Sequence, residues 1–148
     1  MGLATQVGRP ARSQSDRPGK IHVACTSAKF ALELLLSKGE CHDAPVGREL
    51  IKGISSDDNH YLIMDKAYED GATRKLAIEQ GFNPVVPPKS NRKEPWEYDK
   101  EVYKNRNEVE RFFLRIKRFR KVFTRYDKLD VMYMGVLLFA MIVDAVLC

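Results

Sequence analysis

The chain has no cysteine pair at the spacing of a disulfide framework or a zinc finger. It contains only Cys25, Cys41 and Cys148. An odd number of cysteines without a CxxC pair argues against a disulfide scaffold and is typical of a protein in a reducing cytosol. His22 lies near Cys25 and His42 follows Cys41, but this spacing matches no common zinc site. We therefore expect no metal at these residues.

The chain also lacks an apolar run long enough for a signal peptide or a membrane span. Met1 to Lys20 is polar and rich in Gly, Arg and Ser, so we expect residues 1–19 to be a flexible polar lead-in. The C-terminal run Val131–Val143 is interrupted by Asp144 before it reaches the roughly 20 residues that a span needs. We predict a buried core helix there and no contact with a membrane.

The composition that remains is that of a globular domain. The 148 residues are 44% hydrophobic and 30% charged, which is enough for one domain with a real core. The formal net charge of +5 favours a polyanionic partner. Nucleic acid is therefore among the partners to consider.

Short apolar segments and helical segments alternate along the chain, which predicts an α/β fold. The strand–helix–strand order in the middle of the chain indicates a partly parallel sheet. Asp65 follows a buried strand directly, and ligands bind at that end of the strands in open α/β sheets. The predicted elements are strands at Ile21–Cys25 and Phe30–Ser37, a short helix at Ala44–Lys52, a strand at Tyr61–Met64, a helix from about Asp70 to Gln80 and a strand at Phe82–Val86.

A longer helix is predicted from about Lys100 to Phe119, and it carries four polar residues at helical spacing. They are Tyr103, Arg106, Glu110 and Lys117. Because a helix advances about 100° per residue, all four fall within about 60° on one stripe. Spacing alone favours an ordinary solvated edge with i,i+4 charge pairs; the alternative is one wall of a cleft.

Basic residues are concentrated in one loop and in the second half of this helix, with aromatic residues between them. Charge runs are often only solvated faces, but this one is rich in arginine and equally fits contact with phosphates. The candidate nucleic-acid-binding residues are Lys89, Arg92, Lys93, Arg115, Arg118, Arg120, Lys121 and Arg125.

Two parts of the sequence resemble the catalytic domain of bacterial insertion-sequence transposases of the DDE superfamily. One is MDKAYED, around Asp65. The other is the basic stretch from VVPPKSNRK to RYDK with the apolar tail after it; there the Y-R-E-K signature of the family is matched at all four of its positions, from Tyr103 to Lys117. The resemblance extends from about Gly19 to the C-terminus.

The resemblance implies an RNase H-like mixed sheet flanked by helices, with three acidic residues that bind two Mg²⁺ or Mn²⁺ ions. Asp65 matches the second aspartate and Glu110 the glutamate, so both would be catalytic and metal-binding. Arg106 and Lys117 would hold DNA phosphates and Tyr103 would order the backbone near the cut. The implied reaction is cleavage at transposon ends and joining of the 3′ hydroxyl to target DNA, by a protein of the bacterial cytoplasm that associates with the nucleoid when bound to DNA.

The sequence departs from the family pattern at its beginning. The first aspartate of the family lies on a central strand upstream of the segment that reads KIHV here, and Asp16 sits in a polar context instead. We therefore expect residues 20–148 to be a partial catalytic domain without its first catalytic strand and without the usual N-terminal DNA-binding region. A second departure is TSAKF at Thr26–Phe30, where relatives commonly have an Asp-x-x-Gly turn.

These observations leave three readings open. The chain is half of a split enzyme that needs an N-terminal transposase polypeptide or a second copy; or it is a non-catalytic remnant that binds DNA and interferes with intact transposase; or it is a basic nucleic-acid-binding module with no catalytic history. The matched signature disfavours the third.

Overall fold

The structure, a computed structural model, describes residues 2–7, 19–124 and 129–147 and builds them around one five-stranded mixed sheet. The strand order is β3-β2-β1-β4-β5. Strands β1, β2 and β3 pair antiparallel, whereas β4 runs parallel to both β1 and β5. The strands are β1 Gly2–Val7, β2 Lys20–Cys25, β3 Ala31–Ser37, β4 Tyr61–Met64 and β5 Asn83–Val85.

Strand β1 corrects the prediction for the start of the chain. Residues 2–7 occupy the centre of the sheet, between β2 and β4, so a flexible lead-in does not describe these residues, and a strand does precede Lys20. The segment has no strongly apolar pattern, but its backbone groups pair with strands on both sides, and this tertiary pairing decides its conformation. Gly2–Val7 nevertheless contains no acidic residue. Residues 8–18, including Asp16, lie outside the described residues.

The other strands and the first two helices confirm the predicted strand–helix–strand order. The hairpin of β2 and β3 pairs Lys20 with Ser37, and β4 has the predicted bounds. Asp70 caps the second helix by accepting from the Thr73 amide at 2.9 Å, as predicted from its position. Gly81 follows that helix at φ +83, where a Cβ would lie 2.0 Å from a backbone oxygen, so only glycine fits. These helices are α1 Asp43–Lys52 and α2 Gly71–Glu79.

The prediction of one long helix from Lys100 to Phe119 is wrong, because the structure divides this range into separate helices. The first break is at Asn105–Arg106, where the Arg106 amide donates to the Tyr103 carbonyl at 3.0 Å, a tighter 3₁₀-type bond. Asparagine competes for backbone hydrogen bonds and so lowers the cost of such a break. A second break follows Ile116. The segments are α3 Lys100–Lys104, α4 Asn107–Ile116 and α5 Arg120–Thr124.

The core consists of two apolar clusters, one on each face of the sheet. Alternate residues of β2 point to opposite faces: Ile21 and Val23 belong to the cluster with α4 and the last helix, and Ala24 to the cluster with α1 and α2. On α4 the predicted apolar sector is buried, as expected from its periodicity. That sector consists of Val109, Phe112, Phe113 and Ile116.

The last helix, α6 Asp130–Leu147, is buried on one face only. Its buried residues are Tyr133, Leu137, Ala140 and Asp144. The opposite face is exposed, for example Phe139 at 67% and Ile142 at 62%, so the predicted core helix is confirmed for one stripe and wrong for the rest. By length and composition α6 could cross a membrane, and 22% of it is buried in the chain.

Candidate active site

Asp65 stands directly after β4, at the carboxyl ends of the two neighbouring parallel strands, where the sequence predicted it. It precedes a single 3₁₀ turn, Lys66–Tyr68, and its Oδ1 accepts from the Lys66 amide at 2.7 Å. Its Oδ2 faces a different element, the start of α4. The backbone turn thus holds one carboxylate oxygen and leaves the other available for a second partner.

Arg106 joins this carboxylate to Glu110. Its Nη1 lies 3.3 Å from Asp65 Oδ2, and its Nη2 lies 2.5 Å from Glu110 Oε1. The contact with Glu110 is the i,i+4 pair that spacing predicts, whereas the contact with Asp65 connects residues 41 positions apart. The two carboxylates therefore lie at opposite ends of one guanidinium group.

Tyr103 belongs to the same cluster even though it lies before the helix break. Burial raises the pKa of its phenol, and the nearby charges of Asp65 and Glu110 raise it further against the opposing effect of Arg106. Its ring packs edge-on against Tyr98, with centroids 5.5 Å apart. The phenol consequently keeps its proton at neutral pH and can donate a hydrogen bond to an anion.

Lys117 is the fourth residue of the predicted stripe, and the structure places it elsewhere. It is the C-cap of α4, half-buried, whereas Glu110 lies in the first turn of that helix. Among the described contacts, none joins Lys117 to Asp65 or Glu110. Its predicted role at the cut stays a prediction.

Asp65 and Glu110 suit one hard divalent cation. Mg²⁺ is commonly bound by one or two carboxylates, with water and substrate phosphate as the other ligands. Within the described part of the chain, no group of three or more His, Cys, Asp or Glu residues could hold a metal. On β1, Leu3 pairs with Met64, so Ala4 follows at the level of Asp65. The strand that adjoins Asp65 therefore supplies no third carboxylate at that level.

Several of the predicted DNA-binding residues are engaged within the protein. Lys89 and Arg92 form ion pairs with the nearly buried Glu69, at 3.4 and 2.9 Å. Although burial raises the pKa of Glu69, hydrogen bonds from the Lys89 amide and from Arg92 lower it below its ordinary value. Arg92 also lies over the ring of Trp96, 4.4 Å from its centroid. These ion pairs with Glu69 thus hold the loop at 89–92 against the turn that follows Asp65.

The same holds for Arg115, whose Nε donates to the buried Asp144 at 2.8 Å. Sequence reasoning missed both acidic partners, Glu69 and Asp144; no local signal marks them, because each pairs across the fold. The remaining basic candidates in the described residues are exposed and lie in the basic loop or around the end of α4. They are Lys93, Arg118, Arg120 and Lys121; Arg125 lies outside the described residues.

Comparison with known proteins gives one family over nearly the whole chain. Residues 7–143 match the family model described as the transposase DDE domain. No curated protein matches the chain. A solved structure of piggyBac transposase, in a synaptic complex with hairpin DNA, is similar over 70% of this chain at 18% identity, with a TM-score of 0.45. The chain spans 25% of that protein's length.

Proposed function

The chain belongs to the transposase DDE domain family, and from that premise we propose that it is the catalytic domain of an insertion-sequence transposase that binds a divalent cation and DNA. The observation that carries this proposal is the convergence of Asp65 and Glu110 on Arg106. A carboxylate at the end of a central parallel strand and another on a helix are the donors that metal-dependent phosphoryl transfer needs.

An RNase H-like fold is part of the proposal. Three antiparallel strands followed by two parallel ones, with helices on both faces, support it. In this arrangement the end of β4 and the adjoining part of β1 form the base of the site, and α4 lies beside it. The matched signature residues Tyr103, Arg106 and Glu110 lie on or just before that helix.

In the proposed mechanism Asp65 and Glu110 would hold Mg²⁺ or Mn²⁺. When bound, the cation would supply Lewis-acid chemistry at the scissile phosphate. The Arg106 guanidinium would hold the DNA backbone, since its planar pair of donors fits two phosphate oxygens. Tyr103, protonated at neutral pH, can donate to the neighbouring phosphate and orient the backbone.

Within residues 2–7, 19–124 and 129–147, the site offers carboxylates for one cation rather than for two. Two-metal chemistry requires carboxylates that clamp both the attacking and the leaving oxygen, and β1 contributes none. We therefore infer that this chain binds one cation and DNA but does not cut DNA alone. An N-terminal transposase polypeptide or a second copy would supply the third carboxylate; the alternative is a remnant that binds transposon ends or target DNA and inhibits intact transposase.

Cation binding tests the proposal directly. We expect Mn²⁺ to bind the wild-type chain and to bind Asp65→Asn and Glu110→Gln at least about tenfold more weakly, because each substitution removes one of two charged ligands. Glu101→Gln is the matched control, since Glu101 is an exposed helical glutamate that pairs with Lys104 one turn away. Electron paramagnetic resonance of free Mn²⁺ gives the affinities. Equal Mn²⁺ affinity in wild type and Glu110→Gln would sink the proposal.

Nicking of supercoiled plasmid DNA tests the catalytic part. We expect no Mn²⁺-dependent nicking by the chain alone. Nicking that disappears in both Asp65→Asn and Glu110→Gln would show instead that two carboxylates suffice. If the wild-type chain binds Mn²⁺ as expected but does not nick the plasmid, the result agrees with a site that lacks a third carboxylate.

A further inference from the structure

A buried histidine lies beneath the turn that carries Asp65. His22 is fully buried on β2, and Tyr68 is fully buried at the end of the 3₁₀ turn. The Tyr68 hydroxyl lies 3.1 Å from His22 Nδ1, and Ser37 Oγ lies 2.8 Å from His22 Nε2. These contacts connect β2 and β3 to the turn after β4, although 46 residues separate His22 from Tyr68.

Ser37 determines which group donates and which accepts in these two hydrogen bonds. The Ser37 hydroxyl donates to the Lys38 carbonyl, 3.4 Å away, so Ser37 Oγ is free to accept from His22 Nε2–H. Nδ1 of a neutral imidazole then has no proton and accepts from the Tyr68 hydroxyl. A neutral ring agrees with the lowered pKa of His22, whose main cause is burial.

Tyr68 in turn closes the backbone loop that begins at Asp65. The Tyr68 amide donates to the Asp65 carbonyl at 2.9 Å, and Asp65 Oδ1 accepts from the Lys66 amide. Tyr68 also belongs to the apolar cluster on the α1–α2 face of the sheet. Its ring therefore anchors the turn, and its buried hydroxyl favours the ring position that keeps the contact with His22, because a buried hydroxyl without a partner is unfavourable.

We propose that His22 is a positioning residue for Asp65: through Tyr68 it fixes the turn that aims the Asp65 carboxylate at Arg106 and Glu110. The proposal rests on the proposed function insofar as Asp65 is a cation ligand. It assigns a task to His22, a buried polar group that the proposed mechanism does not use. It also explains why a tyrosine rather than a phenylalanine is suited to the turn.

Two substitutions separate the contacts of His22 with Tyr68 and with Ser37. In His22→Asn the side-chain amide oxygen can occupy the place of Nδ1 and accept from Tyr68, whereas in His22→Gln the longer amide reaches toward Ser37 instead. Tyr68→Phe removes only the hydroxyl. Tyr133→Phe is the matched control, because the Tyr133 hydroxyl is also buried and donates to the Val122 carbonyl at 3.0 Å, on the opposite face of the sheet.

The first readout is hydrogen exchange at the turn, which does not depend on any cation. We expect the Lys66 and Tyr68 amides to exchange about tenfold faster in Tyr68→Phe and His22→Gln than in wild type. His22→Asn should stay within about twofold of wild type. Unchanged exchange in Tyr68→Phe, or an equal increase in Tyr133→Phe, would overturn the proposal, because the turn would then not depend on this hydrogen bond.

The second readout is Mn²⁺ affinity, measured well below the midpoint of unfolding. We expect Tyr68→Phe and His22→Gln to bind Mn²⁺ about 3- to 10-fold more weakly, with His22→Asn and Tyr133→Phe near wild type. Thermal destabilisation with unchanged Mn²⁺ affinity would mean that the network is merely structural and would refute the positioning role. If Asp65→Asn leaves Mn²⁺ binding intact, the proposed function fails, and the exchange readout alone decides whether His22 positions the turn.

Discussion

Arg106 Nη1 lies 3.3 Å from Asp65 Oδ2 although the two residues are far apart in the chain. The contact brings a residue between two helices to the end of a central strand, and it places a positive charge where a cation would sit between Asp65 and Glu110. The same guanidinium that would hold a phosphate during catalysis therefore competes with the cation when no substrate is present. This competition can be measured.

Removal of the Arg106 charge should tighten cation binding. We expect Arg106→Gln to bind Mn²⁺ about 3- to 10-fold more tightly than wild type at low ionic strength, since a unit charge about 4 Å away in water is worth about 1 kcal/mol. Affinity for DNA should fall in the same variant. Arg111→Gln is the control, because Arg111 pairs with Glu108 on the same helix, outside the site. Weaker Mn²⁺ binding in Arg106→Gln would mean that Arg106 organises the carboxylates rather than competing for them.

A carboxylate introduced on β1 should complete the cluster. Ala4 follows the Leu3–Met64 pair and stands level with Asp65, so Ala4→Asp is expected to raise Mn²⁺ affinity about tenfold, as an added charged ligand does. Ala72→Asp, which adds the same charge at an exposed residue of α2, is the control.

The outcome of Ala4→Asp on plasmid DNA separates two readings of the chain. Nicking that requires Glu110 would identify an otherwise intact catalytic domain, whereas tighter Mn²⁺ binding without nicking would support the remnant. If folded Ala4→Asp binds Mn²⁺ no better than wild type, the site does not lie at this register.

The Arg115–Asp144 ion pair should contribute to stability rather than to DNA binding. It joins α4 to α6, and Asp144 is nearly buried, so Asp144→Asn removes a counter-charge from a largely buried arginine. We expect a loss of about 2–4 kcal/mol in the free energy of unfolding, measured with urea. Glu101→Gln, in an exposed pair, should change it by less than about 0.5 kcal/mol. Unchanged stability together with tighter DNA binding in Asp144→Asn would return Arg115 to the DNA-binding surface.

The stability of the chain should depend on pH through His22. Burial lowers the pKa of His22; Asp43 opposes this, Lys20 adds to it, and the neutral Tyr68 and Ser37 contact the ring. The unfolded imidazole, with a pKa near 6.5, takes up a proton that the folded ring does not. The free energy of unfolding should therefore be constant above about pH 6.5 and decrease below it, toward the lowered folded pKa.

His22→Asn should remove that decrease, because an amide does not titrate. Chemical unfolding at pH 5.5 and pH 7.5 measures the difference. The lowered pKa values of Glu69 and Asp70 act in a separate window, since their contribution is lost only as the pH falls below about 4. The same loss between pH 7.5 and 5.5 in wild type and His22→Asn would assign it to other groups.

The exposed basic residues beyond α4 should carry most of the DNA contact. We expect Arg118→Gln combined with Lys121→Gln to lower affinity for duplex DNA and to reduce the slope of log affinity against log salt by about 2, since each phosphate contact contributes roughly 0.9. Lys52→Gln with Lys75→Gln removes the same charge from α1 and α2, where both lysines pair with glutamates. Equal effects of the two double variants would indicate attraction by net charge alone.

Local pattern was sufficient for several parts of the fold and of the candidate site. The strand Tyr61–Met64 with Asp65 at its tip, the Asp70 cap and the apolar face of α4 all follow from spacing over a few residues. The pair of Arg106 and Glu110 is one helical turn apart and was predictable for the same reason. Membership of the DDE family was predicted from the signature and its spacing, and the match over residues 7–143 confirms it.

By itself the sequence determined the kinds of elements, their order and the residues available for chemistry, because hydrophobic period and capping act locally. Only the tertiary structure decided that Gly2–Val7 is the central strand and that α6 is buried on one side. It also decided that Glu69 and Asp144 form ion pairs with residues that the sequence had predicted to bind DNA. Each of these features depends on groups that are distant in sequence and that contact one another only when the chain has folded. No short window of residues contains that information.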